Sequence, residues 1–250
     1  MFLRNLGVSI FLASSLALAG CSAEVGADGT DGEEEATGEG SETVSEEALR
    51  LGDANRQGFK EPQFSAAEKA AVLARYENLD PNNEVPKVLL ENAIQYYDFN
   101  KSRIKVKGYL TIIDFSQSSA KRRFYIIDMN TGRVERHVVA HGSGSDPDND
   151  GIATAFSNRD GSLQSSLGYY VTAETYTGKW GRSLRLDGLS STNSNVRSRA
   201  VVMHGASYVE DGKSKQGRSW GCPALPMDEK DAVIDKLKGG SLMYADLPNR

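Results

Sequence analysis

The chain has 250 residues, a formal net charge of −5 and a hydrophobic fraction of 39%, which suits one domain of moderate size with appendages. No long basic run is present, so composition argues against a nucleic-acid partner. No Cys/His cluster has zinc spacing and no Gly-rich phosphate loop follows a predicted strand, so the sequence predicts neither a metal nor a cofactor.

Residues 1–21 have the form of a signal peptide. Arg4 gives a positive start, and the apolar run over 6–18 is shorter than the roughly 20 residues needed to span a bilayer. The run ends in Leu18-Ala19-Gly20-Cys21, which resembles the bacterial lipobox. This resemblance implies a lipid on Cys21 that anchors the mature chain in a membrane leaflet. The alternative is an ordinary signal peptide that happens to contain a cysteine.

Residues 22–58 are predicted to form an acidic, disordered tether. Positions 22–50 hold ten acidic residues and one base with almost no large apolar side chains, so burial cannot offset the entropy of ordering them. Part of 44–57 nevertheless has helical character. A flexible chain of this length spans roughly 30 Å and would hold a folded body off a membrane. Because Ser22 and not Asp follows the cysteine, we expect a lipid-anchored protein of the cell envelope, on the outer membrane facing the periplasm if the organism has two membranes.

Two helices are predicted in a lead-in segment over residues 59–102. Ser65 and Glu68 have the spacing of a capping box, and the alanine-rich sequence after them suits a helix. Pro86 opens a second helix, in which apolar residues from Leu89 to Tyr97 recur at helical spacing.

Short apolar, β-branched and aromatic runs separated by turn residues begin after residue 103, and they predict a β domain over 103–250. One late helix is predicted over Asp228–Lys238, with Asp228 as its N-cap. The fold class is therefore mainly β within an α+β fold, with an antiparallel sheet, two leading helices and one C-terminal helix. The predicted strands lie at Gly108–Asp114, Arg123–Met129, Val134–Ala140, Gly168–Ala173, Arg199–His204 and Ser241–Ala245.

The segment 201–226 is the densest in residues that can carry chemistry. A β-run ends at His204, a polar loop follows, and a Gly-flanked turn leads to Cys222, which is the single thiol left if Cys21 is lipidated. An imidazole within reach can take the thiol proton, and backbone N–H groups around Gly221 and Cys222 can bind a developing oxyanion. The alternative is that Cys222 packs as a small hydrophobic residue and His204 is an ordinary strand residue.

The spacing around this cysteine resembles a known family. His204, fourteen intervening residues and then Ser219-Trp220-Gly221-Cys222 match the signature of the L,D-transpeptidases (YkuD type), except that the commonest form has His where this chain has Trp220. The chain is similar to a divergent subfamily of murein L,D-transpeptidase catalytic domains, over about residues 88–246. The resemblance implies a YkuD-like antiparallel β sandwich or barrel and assigns residues 103–250 to a catalytic domain.

The resemblance also implies a mechanism on peptidoglycan stem peptides. Cys222 attacks a carbonyl between an L-centre and the terminal D-residue, and His204 removes the thiol proton and later returns one to the leaving amine. A backbone carbonyl near Gly205 orients the imidazole. An amine from a second stem then resolves the acyl-enzyme. The remaining expected site residues are Ser219 and Gly221 in the catalytic turn and Arg218, Trp220, Tyr208 and His141 beside the substrate.

Three alternatives stay open. Water in place of the second amine would make the protein an L,D-carboxypeptidase or related peptidoglycan peptidase. A non-catalytic lipoprotein that binds the cell wall would leave Cys222 inert. The acidic loop Asp146–Gly151 imitates the opening of a calcium loop, but Ser157 stands where an EF-hand has its bidentate Glu, so a solvated turn is predicted with calcium as the alternative.

Overall fold

A computed structural model of the protein describes residues 43–249. The predicted signal peptide, the lipidation of Cys21 and most of the tether lie outside the described residues, so they stay predictions. Within 43–249, none of the helices combines the length and the apolar character that a membrane crossing requires.

The described residues form four α-helices and eight β-strands. The helices are α1 (Glu46–Arg56), α2 (Ala66–Ala74), α3 (Lys87–Asn100) and α4 (Lys230–Leu237). The strands are β1 (Tyr109–Asp114), β2 (Phe124–Asp128), β3 (Val134–His137), β4 (Gly168–Gly178), β5 (Gly181–Gly188), β6 (Val202–Ala206), β7 (Ala224–Pro226) and β8 (Leu242–Asp246).

The strands make one mixed sheet in the order β3-β2-β1-β8-β4-β5-β6-β7. The β1–β8 and β6–β7 pairs are parallel and the remaining neighbours are antiparallel. Ala140, three residues after edge strand β3, bridges Ala224 on the opposite edge strand. This bridge joins the two edges of the sheet, so the sheet is partly closed, as in a barrel. The helices and strands together confirm the predicted α+β class.

The sheet separates two hydrophobic cores. On β1, Leu110 and Ile112 pack in a core shared with α2 and α3, whereas Ile113 packs in a core shared with α4. Alternate residues of a strand project to opposite faces, so a strand buried on both faces reads as a continuous apolar run. The site described below lies near the β6–β7 end of this sheet.

The three predicted helices are found, with one correction. The capping box is present, with Glu68 accepting from the Ser65 N–H at 2.7 Å. The last helix begins at Lys230 with Glu229 at its N-cap, so the prediction of Asp228 as N-cap is wrong. Strands β5, of eight residues, and β7, of three, have no counterpart among the predicted strands.

The tether prediction is wrong over residues 46–56, which form α1 and bring the leading helices to three. Arg197 donates to the Ala48 carbonyl at 2.9 Å, and Asn55 donates to Asp187 at 2.7 Å. Gly52 lies directly against Arg197 and Asp187, where no side chain would fit. These long-range contacts stabilise a helix that composition alone does not favour, because tertiary packing overrides local tendency.

Candidate active site

The parallel pairing of β6 and β7 brings the predicted nucleophile beside the strand of the predicted base. His204 is paired with Ala224, so Cys222, two residues earlier, lies next to Val202. The Val202 N–H points at the Cys222 Sγ at 3.5 Å, and the sulfur lies 3.9 Å from the Ala200 carbonyl oxygen. Cys222 is 8% exposed and His204 is fully buried.

The His204 ring is held by its backbone neighbour and by a tryptophan. Its Nδ1 lies 3.0 Å from the Gly205 carbonyl oxygen. A carbonyl only accepts, so Nδ1 carries the hydrogen and, in the neutral ring, Nε2 carries the lone pair. The Trp180 ring stacks on the imidazole with centroids 5.3 Å apart and planes at 22°. This tautomer is the one a general base needs if Nε2 faces the proton.

The turn from Ser219 to Cys222 is closed by hydrogen bonds around one glycine. The Ser219 hydroxyl donates to the Cys222 carbonyl at 2.7 Å and accepts from the Gly221 N–H at 3.1 Å. The Ser165 hydroxyl donates to the Gly221 carbonyl at 3.2 Å. Gly221 has φ +119°, and a Cβ there would lie 2.7 Å from the Gln164 carbonyl oxygen. The turn therefore requires glycine.

These bonds change one expectation about the oxyanion site. The sequence suggested the Gly221 N–H as a donor for the oxyanion. In the structure this N–H donates to the Ser219 hydroxyl within the turn, so it is already engaged. Ser219 has a defined place instead, since its hydroxyl links the ends of the turn that carries Cys222.

His141 does not line a cleft, contrary to the expectation from its Gly/Ser-rich loop. Its side chain is 1% exposed, with Arg123 donating to Nδ1 at 2.7 Å and Nε2 lying 3.2 Å from Asp146 Oδ2. Burial, reinforced by the nearby Arg123 cation, lowers the pKa of His141 to about 4. The ring is therefore neutral at pH 7 and donates to Asp146. The His141 carbonyl accepts from the Ser219 N–H at 2.9 Å, which fixes the start of the turn from Ser219 to Cys222.

The acidic loop is built around Asp146. Its carboxylate accepts from the Gly151 N–H at 2.9 Å and the Asp150 N–H at 3.1 Å, in addition to His141. Across residues 43–249, no group of three or more His, Cys, Asp or Glu side chains is placed to hold a metal ion. The loop thus has the hydrogen bonds of a turn.

The other residues expected to contact the substrate differ in how exposed they are. Arg218 and Trp220 are partly exposed, and Arg218 donates to the Asp146 carbonyl at 2.5 Å. Tyr208 is buried, and its ring meets Trp180 edge-on with centroids 6.1 Å apart. Of these three, Arg218 and Trp220 are the better placed to meet a substrate.

Two residues near the site could not be predicted from the sequence. Trp180 lies at the turn between β4 and β5, and Arg199 lies in the connection between β5 and β6. No spacing rule links either to His204 or Cys222. The one available signal is weak: Trp180 is one of two tryptophans in the chain and stands in a Gly-flanked turn.

Comparison with known proteins identifies one family. A sequence model of the family described as L,D-transpeptidase catalytic domain matches residues 81–245. No curated protein matches the chain.

Solved structures give distant similarities. An L,D-transpeptidase from Mycobacterium smegmatis is 12% identical, with a TM-score of 0.35, over 56% of this chain and 58% of that one. L,D-transpeptidase 3 from Mycobacterium tuberculosis is 11% identical, with a TM-score of 0.37, over 56% and 61%. The helical cell shape determining protein Pgp2 (K307A mutant) from Campylobacter jejuni is 13% identical, with a TM-score of 0.35, over 60% and 54%. The chain thus spans little more than half the length of these structures.

Proposed function

Because the chain belongs to the L,D-transpeptidase catalytic domain family, we propose that it is a peptidoglycan-acting cysteine acyltransferase. Cys222 is the nucleophile and His204 is its base. The observation that carries the proposal is the His204 Nδ1 contact with the Gly205 carbonyl at 3.0 Å, on a strand paired in parallel with the segment that follows Cys222. That contact leaves Nε2 as the basic nitrogen of the ring, as a general base for a thiol requires.

Acylation begins when His204 takes the proton from the Cys222 thiol. The sulfur attacks the carbonyl carbon of the amide between an L-centre and the terminal D-residue of a stem peptide, and the carbonyl electron pair moves to oxygen. When this oxyanion collapses, the C–N bond breaks and His204 returns its proton to the leaving amine. The D-residue departs, and the rest of the stem stays on sulfur as a thioester.

Deacylation completes the transfer. A free amine from a second stem attacks the thioester carbonyl, so that a C–N bond forms and the C–S bond breaks. His204 takes the proton from the attacking nitrogen and returns it to the departing sulfur. The product is a cross-link between two stems, and the Cys222 thiol is regenerated.

Muropeptides that carry tetrapeptide stems provide the test. We expect the purified chain to release the terminal D-residue and to form cross-linked dimers, both measured by liquid chromatography and mass spectrometry, and we expect neither product from Cys222→Ala. Val88→Ala, at an exposed position on α3, is the matched control that retains both products.

The pattern of products separates the alternatives. Shortened stems without dimers would identify an L,D-carboxypeptidase, because water would then resolve the thioester. Binding to peptidoglycan without either product, in a folded protein, would contradict the acyltransferase and favour a cell-wall-binding module.

The lipid anchor is a separate part of the proposal. We propose that a lipid on Cys21 holds the enzyme in the cell envelope, supported by the apolar start and the small residues before that cysteine. Metabolic labelling with an alkyne fatty acid tests this point. Label on the wild-type chain and none on Cys21→Ser is expected, whereas an unlabelled, released wild type would contradict it.

A further inference from the structure

Arg199 is fixed against the loop that covers the Gly221 side of the catalytic turn. Its two Nη nitrogens make four hydrogen bonds, each to a neutral oxygen, at 2.7 to 3.1 Å. A guanidinium has four Nη hydrogens, so both nitrogens are fully used. The acceptors are the Ser157 and Gln164 carbonyls and the Ser162 and Ser166 hydroxyls.

The same guanidinium borders the nucleophile. A Cβ on Gly221 would lie 3.4 Å from Arg199 Nη2, and Gly221 directly precedes Cys222. Ala200, the next residue after Arg199, has φ +53°, a conformation that is uncommon for a residue with a Cβ. Its carbonyl oxygen lies 3.9 Å from the Cys222 Sγ. The corner formed by Arg199 and Ala200 is therefore built directly against the thiol.

The charge of Arg199 is not neutralised by a carboxylate partner. No carboxylate in the described part of the chain lies within ion-pairing distance of Arg199. The charge of Asp160 is nevertheless close enough to raise the pKa of Arg199. Burial lowers the pKa of Arg199, and the attraction of Tyr170 and of Cys222 opposes this shift. An arginine keeps its proton at neutral pH even so. Arg199 is partly buried, so water screens its charge less than it would at an exposed position.

The other charged or titratable groups near Cys222 come from several elements. His204 lies on β6, Arg218 precedes the catalytic turn, and Asp160 is in the loop that Arg199 holds. Lys230 at the start of α4 lies over Gly205 and is paired with Asp231 at 2.8 Å. Among these, Arg199 combines a position fixed by four hydrogen bonds with closeness to Gly221.

We propose that Arg199 is a positioning residue of the active site, which favours the thiolate of Cys222 through its charge and fixes the 157–166 loop over the turn. Its four Nη hydrogens are committed to that loop, so we expect it to act on the nucleophile and not on the substrate. This inference rests on the proposed function only in taking Cys222 as the reactive thiol.

The test is the pH dependence of Cys222 alkylation by iodoacetamide, followed by peptide mass spectrometry. An opposite charge at close range lowers a pKa by about one unit or more, so we expect the alkylation midpoint of Arg199→Met to rise by about 1 pH unit. Arg199→Lys keeps the charge and should shift the midpoint by less than half as much. At a pH where the thiol is fully ionised, the wild type and Arg199→Met should react at similar rates.

Arg197→Met is the matched control. Arg197 is a buried neighbour that pairs with Asp187 and Glu174, so its loss should lower stability without moving the midpoint. If Arg199→Met does not unfold cooperatively, Arg199→Gln takes its place. An unchanged midpoint, or equal shifts for the Lys and Met variants, would overturn the proposal. No stem peptide enters this assay, so a shifted midpoint without transpeptidation would refute the proposed function and leave this inference standing.

Discussion

Gly221→Ala is the sharpest perturbation of the catalytic turn. At φ +119° an alanine lies outside the left-handed region that L-residues tolerate, which costs about 1–3 kcal/mol. Its Cβ would also lie 2.7 Å from the Gln164 carbonyl oxygen. That oxygen cannot retreat freely, because it accepts from Arg199 at 2.7 Å. We therefore expect a total loss of about 3 kcal/mol, near the top of the range for strained backbone.

The measurement is thermal unfolding together with turnover of tetrapeptide muropeptides. A domain of this size loses about 2–4 °C per kcal/mol, so the unfolding midpoint of Gly221→Ala should fall by about 6–12 °C. Activity should be lost even well below that midpoint, because the substitution displaces Cys222.

Gly212→Ala separates backbone strain from the contact in the turn. Gly212 has φ +90°, and a Cβ there meets nothing within 4 Å, so about 1–2 kcal/mol is expected with full activity. If Gly221→Ala were as stable and as active as Gly212→Ala, the reasoning about the turn would be refuted.

Three further predictions follow from contacts around the site. Because the pKa of His141 is lowered to about 4 in the folded chain, the unfolded chain takes up the proton first as the pH falls. The free energy of unfolding is therefore full above about pH 6.5 and drops by up to about 3 kcal/mol towards pH 4. Denaturant titrations should show a weaker pH dependence for His141→Gln, and an equal dependence would contradict this. Gly52→Val should detach α1 and expose it to limited proteolysis. Resistance equal to that of the wild type would show that α1 does not pack through Gly52 against Arg197 and Asp187. Trp180→Ala removes the ring stacked on His204 and should lower kcat/KM about tenfold with little change in the unfolding midpoint; an unchanged kcat/KM would exclude a positioning role.

Local patterns in the sequence predict much of the fold. The mostly apolar, β-branched run of β1 and the capping box at Ser65 specify their elements through short-range physics. β7 has three residues, too few for a periodic pattern, and exists because it pairs with β6. α1 is predicted only in part, because its composition is that of a tether with some helical character, whereas Arg197, far along the chain, binds its backbone.

The same division applies to the site. His204 and Cys222 are found by residue type and spacing, because a loop of limited length must return the thiol to the strand. The burial of His141 cannot be predicted from its Gly/Ser-rich surroundings, since it depends on Arg123 and Asp146 meeting it in space. Arg199 could not be predicted from the sequence for a related reason, because its proposed role depends on its closeness in space to Gly221.

The reactivity of Cys222 is the central claim, and the intact mass of the protein after incubation with imipenem tests it most directly. The thiolate would open the β-lactam ring by attack on its carbonyl, so that the wild-type chain gains the whole mass of one imipenem. Peptide mapping should place the adduct on Cys222, with no adduct on folded Cys222→Ala and slower addition to His204→Asn. A folded wild type that stays unmodified, or a Cys222→Ala variant that is modified equally, would contradict the account.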